Sequence, residues 1–259
     1  MSHTSHPTAA RSSEEIWTCH LGVVPYAEGL EVQEHVRALR QREELPDVLL
    51  MLEHPPVYTR GRRSAAHELP FPEDFYRERG IELHTTNRGG RITYHGPGQL
   101  VGHPIMAVDD VIVHVRTMER AIVAALAELG IGSCARPEDG PDYTGVWVGP
   151  RKIASIGVHV SRGIGTHGFA VNVENDMEPF SWVVACGLPD VQMTSIALET
   201  DGATESVRCF RKRMAHSFCE THGRRQRLVS PQRLGLATAQ PDGAGRRPKL
   251  NQFRQAVPA

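Results

Sequence analysis

Several things are scarce or missing in this 259-residue chain, and each narrows what it can be. No stretch of about 18 consecutive apolar residues occurs, which excludes a helical membrane span, and Met1 to Glu15 has no apolar core of the kind a secretory signal needs. A cytoplasmic location with no membrane partner is therefore expected. Cysteine is sparse and odd in number: Cys19, Cys134, Cys186, Cys209 and Cys219 form no CxxC and no zinc-ligand spacing. That argues against a disulfide framework and a structural metal, and predicts free thiols. Lysine is scarcer still, since of 29 basic residues only Lys152, Lys212 and Lys249 are lysines. A lysine at an interior strand position therefore asks for a reason. Neither a P-loop nor a dinucleotide fingerprint opens a helix, so no cofactor is expected, and no repeat of 20 to 50 residues is visible.

What is present is ordinary globular composition, with 40% hydrophobic and 23% charged residues, enough to bury one full core. The net charge of -1 hides an asymmetry, because Arg224 to Ala259 holds eight basic residues and one acid, Asp242. No aromatic interleaving or recognition helix accompanies that basic stretch, so a solvated tail is favoured over a nucleic-acid arm. The expected organisation is a disordered tail over 1–14, a catalytic domain over 15–222, and a basic Pro- and Gly-containing tail over 223–259.

Periodicity places the elements. Ile16 to Val24 and Asp47 to Leu52 read as strands, the second halted by His54-Pro55-Pro56. Between them, Val32, Val36 and Leu39 share a helical face. Arg60-Gly61-Arg62-Arg63 follows as a basic loop. A stripe of Val115, Met118, Ile122, Leu126 and Leu129 ends at Gly130, where a helix C-cap belongs. Strands are predicted at Val146 to Val148, Ile153 to Val160 and Thr166 to Val173, irregular chain over Asp176 to Leu188, and a last helix over Thr204 to Glu220. Neighbouring strands with helices between and after them predict an α/β (α+β) fold with a mixed, mainly antiparallel sheet and flanking helices.

Four segments can carry chemistry. Arg88 to Gly98 is glycine-rich, so backbone can approach a ligand closely, while Arg88, Tyr94 and His95 offer polar tips. A hairpin connection would read the same way. In Arg151 to Gly157, strand alternation would put Lys152 on the face of Ala154 and Ile156, carrying an ammonium toward an apolar side unless it lies at the sheet rim. In His167 to Val173, Gly168 marks either a bulge or the close approach of a ligand. Cys186 sits in Val184-Ala185-Cys186-Gly187-Leu188, a glycine-flanked irregular segment that leaves a thiol accessible, unlike the helical settings of Cys209 and Cys219.

Taken in order, LEHPPVYTRG, RGGRITYHGPGQL, RKIASIGVHV, HGFAVNV and ACGL resemble the lipoyl(octanoyl) transferase family, over about Ile16 to Glu220. Ala185, where many members have proline, and the more basic Thr59 to Arg63 loop are small departures. The resemblance implies a biotin/lipoate protein ligase-like catalytic domain. It implies octanoyl transfer from octanoyl-acyl carrier protein to a lysine of lipoyl domains, such as the glycine-cleavage H protein and 2-oxoacid dehydrogenase E2 subunits, by a protein expected to be a monomer. Carried over by position, Cys186 is the acyl-thioester cysteine and Lys152 the residue that lowers its pKa. Substrate contacts fall on Arg88, Gly89, Gly90, Arg91, Ile92, Thr93, Tyr94 and His95, then Ser155, Ile156 and Gly157, then Gly168, Phe169 and Ala170.

The chemistry suits these residues. A cysteine with pKa near 8.5 is only a few per cent thiolate at neutral pH, and a neighbouring ammonium favours the anion. Lysine, unlike arginine, can also give and take a proton. Arg60, Arg62 and Arg63 are the local candidates for receiving an acidic carrier protein. The rival readings are an ATP-dependent lipoate or biotin protein ligase, which forms an acyl-adenylate and needs no cysteine, and a non-catalytic acyl-binding module.

Overall fold

A computed structural model describes residues 14–188, 191–200 and 205–236. In chain order the elements are β1 (Glu15–Val23), α1 (Tyr26–Gln41), β2 (Val48–Glu53), β3 (Val57–Arg60), α2 (Glu73–Glu78), β4 (Glu82–Thr85), β5 (Thr93–His95) and β6 (Gln99–Ile105). They continue with α3 (Val111–Ala127), β7 (Cys134–Ala135), β8 (Gly145–Val148), β9 (Arg151–Ser161), β10 (Ile164–Asn172), α4 (Ile196–Glu199), α5 (Val207–Thr221) and β11 (Arg225–Leu228). An eight-stranded sheet runs β11-β1-β2-β6-β10-β9-β8-β7, and a three-stranded sheet runs β4-β3-β5. In the large sheet β1 pairs in parallel with β11 and β2, and the remaining pairs are antiparallel.

Each face of the large sheet is covered by helices whose apolar stripes match it. The α3 stripe of Met118, Ile122 and Leu126 and the α5 stripe of Phe210, Met214 and Phe218 close one face over Leu100, Phe169 and Val171. On the other face Val32, Val36 and Leu39 of α1 meet Leu50, Leu52, Val101 and Ile105. The helix starts are chemically specified: Asp110 accepts from the amides of Ile112 and Val113, and Ser206 from that of Cys209. A third, aromatic cluster of Tyr58, Tyr76, Tyr94 and Phe180 sits on the small sheet.

Two expectations are corrected. The folded unit does not stop at 222. Arg225–Leu228 extends the sheet as β11, and Leu234 and Leu236 are buried beside α1. Arg224 anchors this return: it donates to Asp47 at 2.6 Å and to the Glu15 carbonyl at 2.8 Å, and Asp47 is itself buried and held by Arg40 at 2.7 Å. An arginine captured by a buried carboxylate was invisible in a stretch that read as uniformly solvated. The residues of the basic stretch after 236 lie outside the described residues, as do 1–13.

The second correction concerns strand parity. Trp147 faces Lys152 while Val146 faces Ala154, so Ile153 is an extra residue on β9. Ile153 and Ala154 both enter the core under α3, and alternation restarts one residue out of step. Lys152 thus does not share the face of Ala154.

Candidate functional site

A cavity of about 310 Å³ lies where the small sheet meets β9 and β10. Its walls take Arg88, Gly89, Gly90, Arg91, Thr93 and His95 from the glycine-rich segment, Lys152, Ser155, Ile156 and Gly157 from β9, and Gly168, Phe169 and Ala170 from β10. These are sequence-predicted site residues, gathered from three separated segments. The pairing of Gly157 with Gly168 across β9 and β10 leaves this stretch of wall without side chains. Gly89 closes it from the other side, donating its amide to the Val158 carbonyl at 2.8 Å.

Ile92 and Tyr94 do not line the cavity. The two-residue alternation of β5 and its approach turns Thr93 and His95 inward, and sends Ile92 and Tyr94 into the aromatic cluster with Tyr58 and Phe180. They support the wall from behind.

Arg88 is buried and donates to the Thr59 carbonyl at 2.6 Å and to the Thr59 hydroxyl at 2.8 Å, which ties the glycine-rich segment to β3. Arg91 donates to Glu68 at 2.8 Å, and Glu68 is completely buried. The same Glu68 carboxylate accepts from the Ile92 amide at 3.3 Å, while its backbone carbonyl accepts from the Val184 amide at 3.0 Å. Glu68 thereby joins the glycine-rich segment to the turn that carries Cys186.

That turn is a short 3-10 stretch, Ala185–Gly187, with Ala185 buried in the aromatic cluster. Gly187 has φ +69, and a Cβ placed on it would lie 2.2 Å from Cδ of Arg91. The position therefore needs glycine on two counts, backbone conformation and space. The Cys186 side chain, and with it the expected contact to Lys152, lies outside the described residues. Among the described cysteines, Cys19 and Cys219 are buried, which pushes each thiol up to about 12, while Cys134 and Cys209 are exposed. None of these four lines the cavity.

Lys152 is 1% exposed. Its Nζ stands 5.3 Å from the centroid of the Trp147 ring, and a Cβ on Gly145 would come within 2.8 Å of its Cε, so a glycine there makes room for the chain. The Lys152 amide donates to the Gln192 carbonyl and its carbonyl accepts from the Thr194 amide, both at 2.9 Å, forming a bridge with Met193. The segment just downstream of Cys186 is thus held against Lys152 by backbone bonds.

Sequence reasoning missed Tyr26 and His103 at the inner end and the mouth residues Asp142 and Val111, while His167 of the singled-out β10 segment and Arg63 of the basic loop also line the cavity. Asp142 bonds Arg63 at 2.9 Å and Arg91 at 3.3 Å. Arg60 pairs instead with Glu73 at 3.1 Å, so of the three arginines in the basic loop only Arg63 reaches the cavity. Nothing in the local sequence marks Tyr26 or His103, since each occupies an ordinary helix or strand position. Among the described residues, no group of three or more His, Cys, Asp or Glu could hold a metal, and no helix is long and apolar enough to cross a membrane.

The site is thus a glycine-lined slot between the two sheets, running to a buried lysine, in a mixed sheet walled by helices. Residues 25–219 match the family model described as the lipoyl protein ligase A/B catalytic domain. The chain is 45% identical over 188 residues to an octanoyltransferase of Acidothermus cellulolyticus, covering 70% of this chain and 80% of that one. It is 41% identical over 191 residues to a mitochondrial octanoyltransferase of Arabidopsis thaliana, covering 72% and 79%. A solved lipoate-protein ligase A bound with ATP shares the fold, at TM-score 0.69 and 21% identity, with 83% of this chain and 89% of that one covered. The chain belongs to the lipoyl protein ligase A/B catalytic domain family, and to the octanoyltransferases within it.

Proposed function

We propose that the protein transfers an octanoyl group from octanoyl-acyl carrier protein to the lysine amine of a lipoyl domain, through a thioester on Cys186. The observation that carries this reading is the placement of Lys152. It is buried in the wall of the slot and joined by backbone bonds to the segment that follows Cys186.

The acyl chain occupies the slot between the glycine-rich segment and the Gly157–Gly168 wall. The Cys186 thiolate attacks the donor thioester carbonyl. The carbon–sulfur bond to the carrier then breaks, and the carrier thiolate takes a proton from Lys152. In the second half the amine of the lipoyl domain attacks the Cys186 thioester and its proton passes to the neutral Lys152 amine, restoring the ammonium and the thiolate. An ammonium about 4 Å from a sulfur anion, at an effective dielectric near 20, contributes roughly 4 kcal/mol before desolvation is subtracted. Each unit of thiol pKa lowering needs only about 1.4 kcal/mol.

At the mouth, Arg63 and the exposed Arg62 receive the acidic carrier, with Arg91 behind them. The acceptor is a lipoyl domain of the H-protein or E2 type, the protein acts as a cytoplasmic monomer, and the reaction uses no ATP.

The test is intact-protein mass spectrometry after mixing with octanoyl-carrier thioester. One octanoyl mass added to the protein, absent in Cys186→Ala and removed on adding a lipoyl domain, supports the reading. Transfer that requires ATP and releases pyrophosphate would replace it with the adenylate-forming alternative.

A further inference from the structure

The inner end of the slot is built from hydrogen-bonding groups, which an apolar chain does not need. Tyr26, His95, His103 and His167 line it, and His54 packs directly behind. Ring centroids lie 5.1 Å apart for Tyr26–His54, 5.7 Å for His54–His95, 6.2 Å for His54–His103 and 6.4 Å for His103–His167.

The proton positions of two imidazoles follow from their partners. His54 Nδ1 lies 2.6 Å from the Val24 carbonyl, which can only accept, so Nδ1 carries the hydrogen and the buried Nε2 is a bare lone pair with no partner. Gln99 donates through Nε2 to the Tyr94 carbonyl at 3.1 Å and to Asn172 at 2.8 Å, so its Oε1 accepts from His95 Nδ1 at 2.7 Å. Neutral His95 is left with an accepting Nε2. His103 is 4% exposed, and its ring nitrogens and the buried Tyr26 hydroxyl make no hydrogen bond of good geometry, their neighbours being the His167 backbone and the Thr86 side chain. Burial keeps these rings neutral at neutral pH: His54 is lowered to about 4, His95 to about 3 and His103 well below its ordinary value.

The lining of the chamber therefore offers two ring nitrogens that accept, on His95 and His103, one ring N–H of His103 that donates and one phenol that does either, with the accepting Nε2 of His54 behind them. A group that both donates and accepts, a hydroxyl, satisfies this set, whereas a terminal methyl satisfies none of it. We propose that the inner end of the slot is a hydroxyl-recognition subsite, with His103 as its specificity-determining residue, so that the protein also takes medium-chain acyl thioesters carrying a hydroxyl at the distal end of the chain. This rests on the reading of the slot as the acyl site. The hydroxyl takes no part in bond making or breaking.

The test compares straight-chain acyl pantetheine thioesters from hexanoyl to decanoyl with isosteres in which the terminal methyl is replaced by hydroxyl, a lipoyl domain being the acceptor. The readout is the hydroxyl-to-methyl ratio of kcat/KM at each length. At the length that reaches the chamber, the ratio is expected to rise to one or above, and to fall about tenfold in His103→Leu while His103→Gln, which still donates and accepts, holds it within about threefold. A ratio that stays below about one-tenth at every length in the unsubstituted protein overturns the proposal, whether or not the variants fold. An unchanged ratio in a folded His103→Leu does so too. Failure to transfer any methyl-ended thioester would instead remove the reading of the slot on which the proposal rests.

Discussion

Lys152 and Met193 form a parallel bridge in which both backbone groups of the lysine are used, the amide toward Gln192 and the carbonyl toward Thr194, each at 2.9 Å. Thr194 is held in turn by Asn172, which donates to its carbonyl at 2.9 Å and accepts from Gln99, the partner of His95. A continuous run of hydrogen bonds thus connects the histidine end of the slot to the lysine end. The lysine cannot drift from the downstream flank of the Cys186 turn without breaking strand-type bonds, which is the rigidity its proposed role beside a thiolate requires.

Lys152→Met keeps the length of the side chain and removes its charge from a buried site, so the fold should survive with a Tm close to the original. Acyl transfer should fall at least 100-fold, and the pH midpoint for alkylation of Cys186 by iodoacetamide should move up toward about 8.5. Lys152→Arg should retain part of the alkylation shift and lose turnover, since a guanidinium cannot release its proton. Single-turnover assays on both variants check this, and full turnover by the arginine variant would remove the proton-transfer role.

Gly187→Ala should disable the protein with little effect on the rest of the fold. The residue has φ +69 and no space beside Arg91, so an added methyl must displace either the turn or the arginine. Moving the arginine would disturb its bond to buried Glu68, which also holds Val184. Loss of more than tenfold in kcat is expected. Combining Gly187→Ala with Arg91→Ala should recover part of it by removing the clash, leaving the backbone strain of about 1 kcal/mol or more. A double-mutant cycle on kcat measures the coupling.

Stability should fall as the solution is acidified from pH 7 to pH 5. Burial lowers His54 to about 4, and His95 and His167 to about 3, against an ordinary value of 6.5. Below 6.5 the unfolded chain takes up protons that the folded protein refuses, so each such histidine costs the fold up to about 1.4 kcal/mol per pH unit until its folded value is reached. Above 6.5 the penalty is absent. Urea unfolding at several pH values reads the slope directly, and a flat profile between pH 7 and 5 would contradict the burial of these rings.

Reversing Arg62 and Arg63 to glutamate should raise KM for the carrier-bound donor severalfold while leaving KM for a small octanoyl thioester nearly unchanged. Rim charges act mainly on encounter with a charged partner, so the effect should shrink as salt rises. Arg60, already paired with Glu73, should contribute less when reversed alone. Steady-state kinetics with both donors at two ionic strengths distinguishes docking from damage to the slot.

Local chemistry determined a large share of this protein. The stripe from Val115 to Leu126, the capped helix starts and the halting prolines after β2 rest on contacts within a few residues, so periodicity and capping rules reach them directly. The glycine-rich segment, the strand lysine Lys152 and the glycine-flanked cysteine were likewise conspicuous as residue types in unusual places. Tertiary structure alone decided which way side chains point and what lies opposite them. The extra residue at Ile153 reversed the parity of β9, and β5 split its four predicted neighbours into two cavity-facing and two core-facing residues. Arg224 reaching Asp47, 177 positions away in sequence, turned an apparent tail into the outermost strand. The polar inner end joins α1, β5, β6 and β10, with the turn after β2 behind them, segments far apart in sequence. No single stretch of sequence carries that pattern, because hydrogen-bond partners across a sheet are chosen by register and packing rather than by neighbours along the chain.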